Sequence, residues 1–318
     1  MPGTIEGRIL QCNGGFYYVE AAAVLYECRA RGLFRKSGIT PLAGDRAVIA
    51  TGEDTQSQPR SENSLFEKAV CGATVVEILP RRNSLIRPPV ANLDLLGVVA
   101  AVASPSPNLL VIDRMLAIAE SKGIEPLLVI NKTDLEQKMD DCPEDDPASI
   151  YRSAGFEVYE VSAQTGEGVE ALRRRLAGFI TAFTGNSGVG KSSLLNAMLP
   201  GLRLPTGDIS RKLGRGRHTT RSATLHPLED GGYIVDTPGF SSVDTVRAEP
   251  IRKEELASCF REFEPYTARC RYGSCTHVRE EGCAVIGAVE QGRIAPSRHL
   301  SYRTMYEEVK DIGEWERK

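Results

Sequence analysis

No run of hydrophobic residues in the sequence is long enough to cross a bilayer. The longest, residues 93–103, is interrupted by Asp94 and falls short of the ~20 apolar residues that a spanning helix needs. The opening residues, Met-Pro-Gly-Thr-Ile-Glu, lack the basic start and apolar stretch of a secretory leader, so the chain is expected to be cytoplasmic, with no membrane partner. Internal repeats are absent, which excludes solenoids and propellers. A large charge of one sign is missing too. The 39 Lys and Arg against 42 Asp and Glu leave −3 at pH 7, which excludes indiscriminate attraction to nucleic acid. There are eight cysteines, but a reducing compartment gives them no disulfide framework. Cys12, Cys28, Cys71, Cys142 and Cys259 are scattered and read as small buried hydrophobes.

The 318 residues suit two or three domains. Short β-type runs at 7–10, 16–20, 24–28 and 47–50, separated by glycine-rich turns, predict a small β-barrel or sandwich over residues 1–72; a five-stranded barrel of the OB type fits, and other small β folds fit the pattern nearly as well. Residues 73–92 read as a basic linker, with Arg81, Arg82 and Arg87 among prolines. Between 93 and 245 the texture is α/β. Apolar runs at 93–103, 126–130, 156–161, 179–184 and 232–236 alternate with helical patterns at 109–122, 167–178 and 190–199. Residues 140–147 form an acidic, proline-bearing loop. Helical patterns at 252–263, 285–291 and 298–312 fill a last domain, 246–318. Local charge is uneven: residues 203–221 carry six Lys and Arg against one Asp.

Residues 185–192 spell G-x-x-x-x-G-K-[ST] in full: Gly185, Asn186, Ser187, Gly188, Val189, Gly190, Lys191 and Ser192, with Ser193 following. The motif lies between an apolar run and a helical one, the context of a phosphate-binding loop. Its glycines let backbone N–H groups face phosphates. Lys191 brings charge to the β- and γ-phosphates, and the Ser192 hydroxyl is the expected Mg²⁺ ligand. Asp236-Thr-Pro-Gly239 follows another short strand. Asp236 belongs on the Mg²⁺ side, and the Gly239 N–H can sense the γ-phosphate. Asn131, Lys132, Thr133 and Asp134 spell the guanine-specificity signature, in which the Asp134 carboxylate accepts from guanine N1–H and N2–H₂. Ser162-Ala163 resembles the second base-contacting loop.

These pieces stand in the order N-K-T-D, S-A, phosphate loop, D-T-P-G, whereas Ras-like chains begin with the phosphate loop. Such an order describes a circularly permuted GTPase, whose chain exit lies just beyond Gly239. Residues 209–221 occupy the place of the first switch, where Thr219 or Thr220 is the candidate Mg²⁺ ligand. Phe240 replaces the water-orienting glutamine of Ras-like enzymes, so unaided hydrolysis of GTP to GDP is expected to be slow. His218 is the candidate to assist it, with an RNA phosphate contact as its other reading. Cys270, Cys275, His277 and Cys283 supply three thiolates and an imidazole within fourteen residues, a ligand set for one structural Zn²⁺.

Taken together, the leading barrel, the permuted motifs, residues 217–220 (Arg-His-Thr-Thr), residues 236–240 (Asp-Thr-Pro-Gly-Phe) and the C-x4-C-x-H-x5-C pattern resemble the ribosome small subunit-dependent GTPase A (RsgA) family over essentially the whole chain. The resemblance implies a β-barrel that contacts rRNA, GTP turnover raised by the small (30S) ribosomal subunit, and a role in that subunit's late maturation. A single chain with no partner copy is expected. Two other readings remain at this point: a permuted GTPase of the large subunit, and a GTP-regulated RNA-binding module with little hydrolysis.

Overall fold

The computed structural model describes residues 3–30, 39–51, 66, 69–102, 105–135, 146–199, 201–202, 204, 223–236, 245–246 and 248–311. The chain divides into two compact units. One comprises Met1–Asp94, Leu176–Ala182 and Gly216–Phe240; the other comprises Leu95–Arg175, Phe183–Arg215 and Ser241–Lys318.

The first unit is built on five strands, β1 (Gly3–Asn13), β2 (Phe16–Ala21), β3 (Val24–Ala30), β4 (Arg46–Thr51) and β5 (Val70–Ile78). β1 pairs with β2 and β4, β2 with β3, β3 with β5, and β5 with β4, so the sheet closes on itself. Closure follows from the pleat. Alternate residues point inward, and Ile9, Val19, Ala21, Cys28, Ala47, Ile49, Ala73 and Val75 form the barrel core. This is the expected OB-type barrel.

β5 runs on past residue 72, so the stretch read as a linker holds its last residues and then the hairpin of β6 (Ser84–Leu85) and β7 (Val90–Ala91). Side-chain amides brace that hairpin. Asn83 exchanges two hydrogen bonds with the Leu93 backbone at 2.9 Å, and Asn92 accepts from Arg82 N–H at 2.9 Å. Arg81 is not a free basic residue: it grips the fully buried Asp45 carboxylate at 2.7 and 2.8 Å. Three further strands complete the unit. β12 (Thr224–Pro227) lies antiparallel to β1 and to β13 (Tyr233–Asp236), and the start of β11 (Ile180–Gly185) runs parallel to β13.

In the second unit β8 (Leu95–Ala101), β9 (Glu125–Asn131) and β10 (Glu157–Val161) are parallel, with β9 central. β8 is buried throughout, as expected of a strand covered on both faces. The helices are α1 (Leu109–Ser121), α2 (Pro147–Ser153), α3 (Val169–Leu176) and α4 (Lys191–Met198). Asn108 caps α1, its side chain accepting from Val111 N–H at 3.2 Å.

Residues 252–263, expected as one helix, break into short turns: Lys253–Leu256, Ala257–Cys259 and Arg261–Phe263, followed by Glu264–Thr267. Phe260 leaves helical dihedrals (φ −111°, ψ 88°) and stacks on Phe263 with centroids 5.2 Å apart. Side-chain burial has overridden the helical period there. α5 (Ala284–Glu290) and α6 (Pro296–Val309) close the chain. Among the described residues, no helix is long and apolar enough to cross a membrane.

Candidate nucleotide and metal sites

Within the second unit three loops meet at the ends of parallel strands, and the Asn131 side chain joins them. Its amide is buried. Nδ2 donates to the Val189 carbonyl at 2.9 Å, and Oδ1 accepts from Ala163 N–H at 3.0 Å. Residues 131–134, 162–163 and 185–190 are thereby brought together by one side chain whose capacity is well used. Gly190, at φ +92°, lies so near that a Cβ there would stand 2.3 Å from Asn131 Nδ2. Gly185, at φ +147°, has the same constraint at the other end of the loop, where a Cβ would meet the Val99 carbonyl at 2.2 Å.

Lys132 adopts φ +68°, an unusual backbone state for a side chain with a Cβ. The 3₁₀ turn Thr133–Leu135 follows, closed by Leu135 N–H to the Lys132 carbonyl at 2.9 Å. Ser162 Oγ donates to Asp134 Oδ1 at 2.5 Å and accepts from Thr165 N–H at 3.1 Å, so one carboxylate oxygen is held in place. Ser162 thus anchors Asp134. The Ala163 N–H is engaged in bracing Asn131.

The phosphate loop is exposed at Ser187 and Gly188 and buried at Gly185 and Val189. α4 begins at Lys191 behind Gly190, with no side chain capping its first turn. The N–H groups of its first turn and its dipole face the loop. Lys191 Nζ donates to the carbonyls of Gly185 at 2.7 Å and Asn186 at 2.8 Å, and burial pushes its pKa down to about 8. Ser192 and Ser193 follow, half-buried. Asp236 ends β13 in the first unit, opposite Thr224. His218, Thr219, Thr220, Gly239 and Phe240 lie outside the described residues.

At the other end of the chain Cys270, Cys275, His277 and Cys283 converge, their ligand atoms all within 4.8 Å of one another. Cys270 Sγ lies 3.9 Å from Cys283 Sγ and 3.6 Å from His277 Nδ1, and His277 Nδ1 lies 3.4 Å from Cys283 Sγ. Tetrahedral zinc with Zn–S near 2.3 Å and Zn–N near 2.0 Å requires ligand separations of about 3.5–3.8 Å, so the residues fit the metal. Burial pushes the Cys275 thiol up to about 12 and lowers His277. Both directions disfavour charge on the bare side chains, and a bound cation would favour the Cys275 thiolate. Glu280 organises the loop, accepting N–H bonds from Thr276 at 2.9 Å, Val278 at 3.0 Å and Arg279 at 3.1 Å.

This geometry has counterparts in known proteins. The RsgA GTPase family model matches residues 78–246, and the RsgA N-terminal domain model matches residues 6–58. The chain belongs to the RsgA GTPase family. An RsgA relative from Caldanaerobacter subterraneus subsp. tengcongensis, named small ribosomal subunit biogenesis GTPase RsgA, is 44% identical, the match covering 96% of each chain. One of the same name from Moorella thermoacetica is also 44% identical, covering 96% of this chain and 97% of its own. Among solved structures, YjeQ from Thermotoga maritima superposes with a TM-score of 0.80 at 34% identity, covering 98% of this chain and all of its own. YloQ, described as a circularly permuted GTPase, gives 0.76 at 33% identity, covering 97% and 96%. The chain therefore has the circularly permuted GTPase fold that its motif order implies.

Sequence reasoning passed over Asp113, Tyr151, Glu262 and Arg298, which form a buried polar cluster in the second unit. One signal was available. Asp113 falls among the buried positions of a helix that is apolar apart from Asp113, Arg114 and its last turn (Leu-Leu-Val-Ile-Asp-Arg-Met-Leu), and a charge at a buried position demands a partner.

Proposed function

We propose that this protein is a GTPase that binds the small ribosomal subunit and acts in its late maturation, hydrolysing GTP to GDP and phosphate when seated there. The observation that carries the reading is the Asn131 amide, which ties the loop of the guanine signature to the phosphate loop through Val189 and to the second base loop through Ala163. The small-subunit assignment is supported by the names of the full-length relatives. We assign the protein to the cytoplasm, as a single chain with rRNA as its contact.

In this reading Asp134, steadied by Ser162, offers its second carboxylate oxygen to the guanine N1–H and N2–H₂ pair, which adenine lacks. Lys191 gives up the Gly185 and Asn186 carbonyls for the β- and γ-phosphates, where its charge opposes the charge that develops during transfer. Ser192, Asp236 and one of Thr219 and Thr220 would hold Mg²⁺, which would supply positive charge against the phosphates. Gly239 follows the γ-phosphate, and His218 assists water where Phe240 cannot. Cys270, Cys275, His277 and Cys283 would hold a structural Zn²⁺, which would supply folding energy to the C-terminal segment.

Phosphate release measured with purified 30S and 50S subunits tests the proposal. Turnover should rise with 30S and stay at the unaided rate with 50S. Stimulation by 50S would mark a large-subunit factor. GTP-dependent binding without any stimulated release would mark an RNA-binding module.

A further inference from the structure

A continuous series of contacts within the second unit joins the Cys/His loop to the phosphate loop. At the metal end, His299 Nε2 lies 2.7 Å from the His277 carbonyl oxygen, and Tyr302 OH donates to the Thr276 carbonyl at 2.6 Å. Both side chains stand on α6, next to Arg298. That residue is 1% exposed. Its Nη1 donates to Asp113 Oδ1 at 2.6 Å, and its Nε and Nη2 grip the Glu262 carboxylate at 2.7 and 3.0 Å. The guanidinium lies over the rings of Phe260 and Phe156, 4.6 and 5.2 Å from their centroids. Tyr151 OH also donates to Asp113 Oδ1, at 2.6 Å.

Asp113 belongs to α1, and the same helical turn touches the phosphate loop. Ile112, one residue earlier, lines a small cavity whose other walls include Gly185, Asn186 and Val189. Met115, two residues later, has its sulfur 3.4 Å from Thr184 Oγ1, immediately before Gly185. Pro105, ahead of the helix, stands 3.6 Å from where a Cβ of Gly188 would lie. A hydrogen-bonded helical turn moves as a body, so any displacement of Asp113 is felt by Ile112 and Met115.

A buried guanidinium is a poor choice for adhesion alone, because its desolvation cancels much of the Coulomb gain and apolar side chains would hold α6 to α1 equally well. Short, directional hydrogen bonds do something that apolar packing does not: they fix the register of one helix against the other. We propose that Arg298 and Asp113 are positioning residues for GTP turnover, tying the Cys/His loop through α6 and α1 to the back of the phosphate loop. This rests on the GTPase reading above. Asp113 takes both of its hydrogen bonds on Oδ1, and Oδ2 is buried with no partner among the described residues. Asparagine at 113 therefore keeps the two acceptor contacts while giving up the charge.

The test uses the full-length zinc-bearing protein and measures GDP affinity, kcat and KM for GTP, zinc content and thermal stability. Arg298→Met should keep its zinc yet lose turnover by at least about tenfold, as expected when a reacting group is misplaced by a fraction of an ångström. Asp113→Asn, which keeps both acceptor contacts on Oδ1, should lose less turnover than Arg298→Met, and an equal or larger loss would overturn the register argument. Removing a single partner of a buried pair threatens folding. A triple variant, Asp113→Leu with Glu262→Met and Arg298→Met, replaces the whole ionic cluster by apolar side chains and keeps the experiment decisive. If the triple variant folds, holds zinc and turns over GTP like the parent, the contact is packing only and the proposal is overturned. A parent protein that releases no phosphate overturns the GTPase reading and this proposal with it. Parent turnover with an unaffected triple variant overturns the proposal alone.

Discussion

At the scale of single residues, the candidate nucleotide site depends on positions where a few atoms leave no latitude. Gly190 is one, since its positive φ and its distance from Asn131 leave no room for a methyl group. Gly190→Ala should weaken GDP binding by about 10- to 100-fold, the equivalent of roughly 1–3 kcal/mol of backbone strain. Nucleotide titration checks this, and unchanged affinity would show that the loop relaxes freely. Lys191 is another. Its pKa of about 8 means that the charged form is lost as pH rises through that value in the free protein. Bound phosphate favours the charged form, so binding takes up a proton above pH 8 and affinity should fall by up to about tenfold per pH unit there. GDP titrations between pH 7 and 9 should show a plateau followed by a decline, and a flat profile would remove Lys191 from phosphate binding. The motif residues were legible because glycine, lysine and asparagine at fixed spacings have few other uses. Ser162's grip on Asp134 was not, because no spacing encodes a contact between two loops.

At the scale of elements, periodicity performed well where a strand or helix is buried on the face its pattern marks. The run at 109–122 became α1 (Leu109–Ser121), and the apolar stretch around 93–103 became β8 (Leu95–Ala101). It failed where local chemistry was quieter than composition. α2 begins directly after the acidic stretch, with Asp146 as its cap and Pro147 in its first turn. This is a helix-start signal that the surrounding carboxylates obscured. The C-terminal turns show the opposite failure, a helical period broken by aromatic packing around Phe260, Phe263 and Tyr302. Those turns share partners with the cysteine cluster, because Tyr302, against which Phe260 and Phe263 pack, also holds the Thr276 carbonyl, and Phe263 stands edge-on to His277. Cys283→Ser should reduce bound zinc from about one per chain to a small fraction and lower the melting temperature. Metal analysis alongside a thermal scan reads both, and full zinc retention would remove Cys283 from the ligand set.

At the scale of the whole molecule, charge distribution matters more than net charge. The overall −3 is small, yet residues 203–221 gather six Lys and Arg, and rRNA is the expected counterpart of such a patch. Association with the small subunit should accordingly weaken steeply with monovalent salt at constant magnesium. About a 10³-fold loss between roughly 50 and 200 mM is expected if the patch neutralises about six phosphates. A salt-independent affinity would place the contact on apolar surface instead.

The motif order determined the permutation and the class of nucleotide, and the spacing picked out the Cys/His cluster that could hold a metal, because those depend on which chemical groups are present and in what succession. The tertiary structure decided what succession cannot encode. It showed that β5 closes the barrel across residues 70–78, that Arg81 serves the buried Asp45, and that one turn of α1 meets both Arg298 and the phosphate loop. The physical reason is the same in each case. Hydrogen bonds and ion pairs between residues far apart in the chain depend on distance and direction in space, and a sequence carries neither.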